Sequence, residues 1–307
     1  MLLWKKTGLM AAIGGFVAVM LAMPVQAQTY GESYESESNY IDFEVEDLCQ
    51  RLSRKLSSVK LNDCLGADLQ TTSGYSVNGL PITVRKIYPD DEARPRPRVL
   101  LMGGVHGDEF SGVSIVFKWL KALERNGTGN FHWHISPTVN PDGLLRRKAQ
   151  RMNANGVDLN RNFPTHDWDE LGHKYWVRRT RRNPRRYPGP ESASEPETRW
   201  IMEEIENFRP DVVVQIHAPY GIVDFDGKKN PPNRLGRLHL RLLGTYPGSL
   251  GNYGNMLNVP VLTIELPSAG VMPSSRETNR IWRDLLKWID QNIIAGERFV
   301  DAADSQR

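Results

Sequence analysis

The 307-residue sequence predicts an α/β fold, and three observations carry the prediction. From Val99 onward, short apolar runs alternate with segments whose apolar residues recur at helical spacing, the pattern of a sheet covered by helices. Three of the runs are followed at once by ionisable residues: His106 with Glu109, then His217, then Glu265. The composition, 39% hydrophobic with 26 Gly and 20 Pro, supplies a sizeable core and excludes disordered, collagen-like and coiled-coil chains. A formal net charge of +3 over this length does not call for a nucleic-acid partner.

Taken in order, the chain begins with Lys5 and Lys6, an apolar stretch from Gly8 to Met23, then Pro24 and the small-residue pattern Val25-Gln26-Ala27. Residues 1–27 therefore read as a signal peptide cleaved after Ala27. The 16-residue apolar stretch is shorter than the roughly 20 residues that span a bilayer. No second run approaches that length, so the expected mature protein is exported, without stable membrane insertion, to the periplasm or beyond. Export makes the two cysteines, Cys49 and Cys64, a disulfide within an N-terminal segment spanning residues 28–80.

A helix is expected around Phe43–Leu56 and a strand near Ile82–Ile87. The Pro/Arg cluster Arg94–Arg98 marks a turn before a buried strand over Val99–Met102. Beyond the Gly103-Gly104 turn, Val113, Val116, Phe117, Leu120 and Leu123 define a helix stopped at Asn126-Gly127, and a strand runs near Trp133–Val139. Ser194 with Glu197 reads as a capping box opening a helix whose inner face carries Trp200, Ile201, Ile205 and Phe208. Strands follow at Val212–Ile216 and Val261–Ile264, and an amphipathic helix carries Ile281, Leu285, Trp288, Ile289 and Ile293. The catalytic domain is expected over residues 81–297, followed by a polar tail over 298–307.

Open α/β sheets bind ligands outside the carboxyl ends of their strands, so the four ionisable residues should converge on one rim. His106 and Glu109 form an HxxE unit in a strand–turn–helix context, and His217 would complete two imidazoles and a carboxylate. That set suits one zinc ion with an open position, the arrangement of a catalytic site. Glu265 closes an otherwise apolar strand, where burial raises a carboxyl pKa towards that of a general base. His166 and His173 with Asp169 sit in a polar loop and read as surface residues, and His132, His134 and His239 have no suitable sequence neighbours.

The HxxE unit, the Asn140-Pro141-Asp142-Gly143 turn, the run from Gly156 to Pro164, the late His217 and the later Glu265 resemble the zinc carboxypeptidases of the carboxypeptidase A superfamily. Arg151-Met152-Asn153-Ala154-Asn155 and Pro247-Gly248-Ser249-Leu250-Gly251 resemble, within it, the bacterial murein peptide amidase branch. The resemblance covers about residues 97–295 and implies one catalytic domain with a central mixed, mostly parallel twisted sheet and helices on both faces. It implies zinc on His106, Glu109 and His217, Glu265 as general base, and Asp158 orienting the first histidine. Arg151 would stabilise the oxyanion, and Asn160 with Arg161 would hold the substrate's terminal carboxylate.

Departures accompany these matches. Ala218-Pro219-Tyr220 replaces the Ser-Tyr that tends to follow the third ligand in digestive members, and the active-site tyrosine falls near Tyr246 or Tyr253, with Tyr253 preferred. Asp224 and Asp226 stand where those enzymes carry an apolar pocket; they would pair with an amino group on the substrate, as in diaminopimelate, or be solvated loop charges. Six arginines between Arg178 and Arg186 read as a surface loop that guides anionic peptides, or as ordinary solubility.

The expected activity is zinc-dependent hydrolysis of an amide next to the free carboxylate of a small peptide, with a diaminopimelate-containing peptidoglycan stem peptide as substrate. A deacylase of the aspartoacylase and succinylglutamate desuccinylase type shares HxxE, a later His and a Glu, but the Gly156–Pro164 run and export favour the peptidase. A silent cell-wall binding module would need neither a full ligand set nor Glu265. HExxH, a G-x-S-x-G elbow and a phosphate-binding P-loop are absent from the sequence.

Overall fold

A computed structural model describes residues 43–89, 95–126, 130–228 and 230–296. The expected signal peptide and the polar tail lie outside the described residues. The strands are β1 (Gln70–Tyr75), β2 (Pro81–Ile87), β3 (Arg98–Met102), β4 (His132–Ser136), β5 (Val212–His217), β6 (Ile222–Asp226), β7 (Arg234–Leu235), β8 (Leu238–Leu240) and β9 (Val261–Glu265). The helices are α1 (Phe43–Lys55), α2 (Leu61–Leu65), α3 (Phe110–Asn126), α4 (Pro141–Leu145), α5 (His173–Arg178), α6 (Pro196–Phe208), α7 (Leu250–Met256) and α8 (Ser275–Asn292). All of them fall in one unit, Ile41–Arg307.

The strands form one nine-stranded mixed sheet in the order β1-β2-β4-β3-β5-β9-β6-β8-β7. Its parallel centre is β4-β3-β5-β9, and antiparallel joins to β2 and β6 bound it. Four of the eight pairings are antiparallel: β2 with β4, and three that β1, β6 and β7, which no apolar run announced, make at the flanks with β2, β9 and β8. The central strands are buried on both sides, as a parallel core covered by helices requires.

Side-chain alternation divides the core into two layers. On β3, Val99 and Leu101 join a cluster with residues of α1, α3 and α8, whereas Leu100 and Met102 join one with residues of α6 and α7. The first layer contains the stacked indoles of Trp119 and Trp282, 5.1 Å apart. Trp200, Ile201, Ile205 and Phe208 line the inner face of α6 in the second layer, as their spacing predicted.

Two local expectations give way to tertiary partners. Ser194 and Glu197 form no capping box: the N-cap is Glu195, Ser194 Oγ donates to Glu195 Oε1 at 2.7 Å, and Glu197 accepts from Val77 N at 3.2 Å and Asn153 Nδ2 at 2.9 Å. The second strand of the parallel core ends at Ser136 rather than Val139, where the chain leaves the ladder and Val139 N bonds Gly103 O at 3.1 Å.

Cys49 on α1 and Cys64 on α2 are bridged, both fully buried, with Cα atoms 5.5 Å apart. The cross-link spans 15 residues, so the paired Cys49→Ser, Cys64→Ser variant should lose about 3 kcal/mol of unfolding free energy. Urea denaturation of the two proteins measures this, and equal midpoints would contradict it.

Candidate metal centre

The carboxyl ends of β3, β5 and β9 deliver the site. After β3, a glycine-lined turn brings His106 and Glu109 to the start of α3; a Cβ on Gly107 would lie 2.3 Å from the backbone of Gly143, so glycine lets this turn sit against α4. His217 ends β5 and Glu265 ends β9, directly opposite each other in the parallel register. All four side chains are buried.

Glu109 lies between the two imidazoles. His106 Nδ1 is 2.9 Å from its Oε1, His217 Nδ1 is 2.9 Å from its Oε2, and the ring centroids are 4.4 Å apart. The other nitrogen of each ring is committed: His106 Nε2 donates to Asp158 Oδ1 at 3.1 Å and His217 Nε2 donates to Gln215 Oε1 at 3.0 Å. Gln215 Nε2 in turn donates to Thr263 Oγ1 at 2.7 Å, which leaves its oxygen as the acceptor. With both Nε2–H groups engaged, the Nδ1 atoms of the two rings face the Glu109 carboxylate, the arrangement in which a metal cation is shared by three ligand atoms. Burial, reinforced by the Arg151 charge, holds His106 below the usual histidine range and so favours the neutral ring that a metal ligand needs. Two imidazoles and one carboxylate, with ligand atoms within 4.8 Å of one another, fit zinc with an open position.

Behind the triad, Asp158 is fully buried and its Oδ2 accepts from Arg151 Nε at 2.9 Å. Burial alone would raise the Asp158 carboxyl, but Arg151 and His106 hold it well below the usual carboxylate range. Arg151 Nη1 lies 3.5 Å from Glu109 Oε1, so one guanidinium ties the Asp158 carboxylate to that of the candidate ligand Glu109. Glu265 Oε2 accepts from Tyr220 N at 3.4 Å. Burial pushes the Glu265 carboxyl up, against the opposing pull of His217 and with the repulsion of Glu109 added.

The triad and Glu265 open onto a cleft of about 360 Å³ that also receives Arg151, Asn160, Arg161 and Asp226. Asn160 Oδ1 accepts from Leu250 N at 2.8 Å, which aligns the residue at the head of α7 and leaves its NH2 for a ligand. The Arg161 guanidinium lies over the Tyr246 ring, 4.4 Å from its centroid, with Nη1 donating to the Asn160 carbonyl. Its Nε is buried without an acceptor among the described residues, and burial brings the group down to about 10 despite Asp158 nearby. A buried guanidinium with an idle donor is a receptor for a carboxylate.

Residues 67–230 match the zinc carboxypeptidase family. The chain belongs to that family. A murein peptide amidase A from Vibrio campbellii is 32% identical over 204 residues, covering 64% of this chain and 79% of the relative. One from Escherichia coli is 30% identical over 228 residues, covering 72% and 90%. A solved murein-tripeptide amidase from Escherichia coli superposes with a TM-score of 0.51 at 26% identity, over 72% of this chain and 92% of that one. Carboxypeptidase A from Helicoverpa armigera, 18% identical, shares the fold with a TM-score of 0.56 over 79% and 70%. As a zinc carboxypeptidase the protein is a hydrolase of peptide bonds.

The carboxypeptidase cleft does not include every residue expected of it. Tyr253, on α7, stacks on Phe163 at 5.5 Å and packs into the second core layer, whereas Tyr246 lines the cleft. The helical phase of α7 decides this, since it turns position 253 inward. Asp224 and Asp226 are not loop charges: they stand on β6, paired with β9, and line the cleft. Burial and the neighbouring Asp224 raise the Asp226 carboxyl to about 6. A Cβ on Gly251 would lie 1.9 Å from Asp226 Oδ2, so glycine makes room for that carboxylate.

Gln215, which orients His217, escaped the sequence reading; its position two residues before the ligand on the same strand face was the available signal. His134, expected to lack neighbours, bonds Tyr88 Oη at 2.7 Å and Glu204, and its ring stacks on Phe208 at 3.6 Å. His166 and His173 are exposed, as expected.

Proposed function

We propose that this zinc carboxypeptidase is an exported enzyme that cleaves the amide next to the free-carboxylate end of a murein stem peptide containing diaminopimelate. The observation that carries the reading is the buried, idle Arg161 donor in the same cleft as the metal triad and Glu265. It supplies a carboxylate receptor beside hydrolytic groups. The names of the two amidase relatives support murein as the source of the peptide. The carboxylates of Asp226 and Asp224 in the cleft suit the second amino group of diaminopimelate. A basic, apolar, small-residue N-terminal sequence and the Cys49–Cys64 bridge support export.

His106, Glu109 and His217 would hold zinc, which when bound supplies Lewis acidity towards an amide carbonyl and makes water more acidic. The remaining work belongs to the chain. Glu265, its basicity raised by burial, takes a proton from the attacking water and returns it to the departing amine. Arg151 donates to the oxygen that gains charge as the carbonyl becomes tetrahedral, held in place by Asp158. Arg161 and the Asn160 amide fix the terminal carboxylate, and Tyr246 covers the guanidinium. Asp158 and Gln215 keep both imidazoles in one tautomer.

Mass spectrometry of a murein tripeptide ending in meso-diaminopimelate, incubated with the protein with and without a chelator, tests this. Chelator-sensitive release of diaminopimelate is the expected result. An intact tripeptide alongside hydrolysed N-acyl amino acids would replace the reading with a deacylase.

A further inference from the structure

The mechanism above leaves the arginine run unused. Its first four members are exposed on α5 and the turn behind it, where Arg181 and Arg182 both adopt φ 54°. The last two, Arg185 and Arg186, line the cleft. They belong to a short 3-10 turn, Pro184–Arg186, whose position is built rather than free. Asn183 Oδ1 accepts from Arg185 N at 3.0 Å, Trp176 Nε1 donates to Asn183 O at 2.8 Å, and the Trp176 and Tyr187 rings pack at 5.0 Å. Asp158 N donates to Tyr187 O at 2.8 Å, so the turn is tied to the residue that orients His106.

The two guanidiniums exceed what the cleft's own carboxylates engage. Arg185 Nη1 pairs with Asp108 Oδ2 at 2.6 Å, beside the ligand Glu109 in sequence. Arg186 Nη1 comes no closer than 3.7 Å to Asp158 Oδ2, an oxygen already held by Arg151 Nε at 2.9 Å. Among the described residues no acceptor lies within hydrogen-bond distance of the Arg186 side chain. Both are partly open to solvent, with side-chain exposures of 52% and 29%, so a ligand can reach them.

Their place in the cleft differs from that of Arg161. Arg161 is set by the loop before α7, through Tyr246, and shares that end with Asn160. Arg185 is set against the loop before α3, the loop that carries His106 and Glu109. We propose that Arg185 and Arg186 bind a second carboxylate of the substrate, carried by the residue on the acyl side of the cleaved amide, so that the enzyme selects acidic peptides with two separated carboxylates. This rests on the reading that Arg161 takes the terminal carboxylate. Guanidinium geometry favours such an anion over a neutral amide of the same shape, because the bonds are charge-assisted and can be bidentate. Asp108 then holds Arg185 in position until the substrate arrives and competes for it.

The test uses matched peptides with a free carboxyl terminus that differ only in Glu or Gln before the scissile bond, assayed with the zinc-loaded full chain. Wild type should cleave the Glu peptide with kcat/KM about 10–100-fold above the Gln peptide, the discrimination of a charged hydrogen-bonding pair. Arg185→Gln with Arg186→Gln should remove that preference by slowing the Glu peptide, with the Gln peptide changed by less than about threefold. Arg186→Lys should keep part of the preference, since the charge remains while the planar fork is lost. Equal cleavage of both peptides by wild type, or equal losses on both in the double variant, overturns the proposal. Carboxyl-amidated versions separate it from the underlying reading: if they are cleaved as fast as the free acids, the terminal-carboxylate assignment fails, whereas the Glu-to-Gln ratio alone decides the arginine pair.

Discussion

Glu265→Gln should lower kcat by about 10³–10⁴-fold, the upper range for a positioned general base, while zinc content stays at that of the wild type. The substitution keeps the shape of the side chain and an acceptor for Tyr220 N, but removes the only group proposed to take and return the proton. Glu265 stands opposite His217 across the β5–β9 register, so the loss is confined to chemistry rather than to the fold. Single-turnover kinetics together with metal analysis would check it. Substantial hydrolysis by the zinc-loaded variant would remove Glu265 from the mechanism.

Glu109→Ala should abolish activity by a different route. Among the described residues Glu109 is the only carboxylate between the two imidazoles, and its Oε2 also accepts from Ala218 N at 3.2 Å. Its removal takes away one of three ligands and the negative charge that offsets a dication. Zinc affinity should fall by more than about 100-fold, beyond the roughly 10–100-fold that follows loss of an outer partner of a metal site. Competition with a chromophoric chelator measures this directly. An unchanged zinc affinity would show that the ion is held elsewhere. The two variants form a pair: the first separates chemistry from metal, and the second removes both.

Both predictions concern residues that were legible in the chain. His106, Glu109, His217 and Glu265 could be found because each follows an apolar run, and strand ends in an α/β sheet deliver side chains to a common rim. The strands themselves were legible for the same reason: Val99–Met102 is an unbroken apolar run, and Val212–Ile216 and Val261–Ile264 are each interrupted by one polar residue, Gln215 and Thr263, the near-continuous pattern of a strand buried on both faces. The outer strand β6 was not legible, because Asp224 and Asp226 alternate with apolar residues and read as a charged loop until pairing with β9 is seen. Ser194 and Glu197 carry a true capping signature, yet Glu197 is claimed by Val77 and Asn153 from elsewhere in the chain.

Tyr253 is turned inward by the phase of the short helix α7, whereas the place of Tyr246 and the arrival of Arg185 and Arg186 at the cleft depend on segments without a repeating hydrophobic period. Loop residues have no period to reveal which way they face, so their orientation is settled by partners such as Arg161 and Asp108. The sequence by itself determined the α/β class, the buried strands and the convergence of His106, Glu109, His217 and Glu265 on one rim, because each is encoded by short-range spacing joined to one rule of sheet topology. Only the tertiary structure decided which tautomer each histidine presents, which tyrosine covers Arg161, where Asp226 stands and which arginines enter the cleft. Those are contacts between residues far apart in the chain, and their energies depend on packing and burial that no local pattern contains.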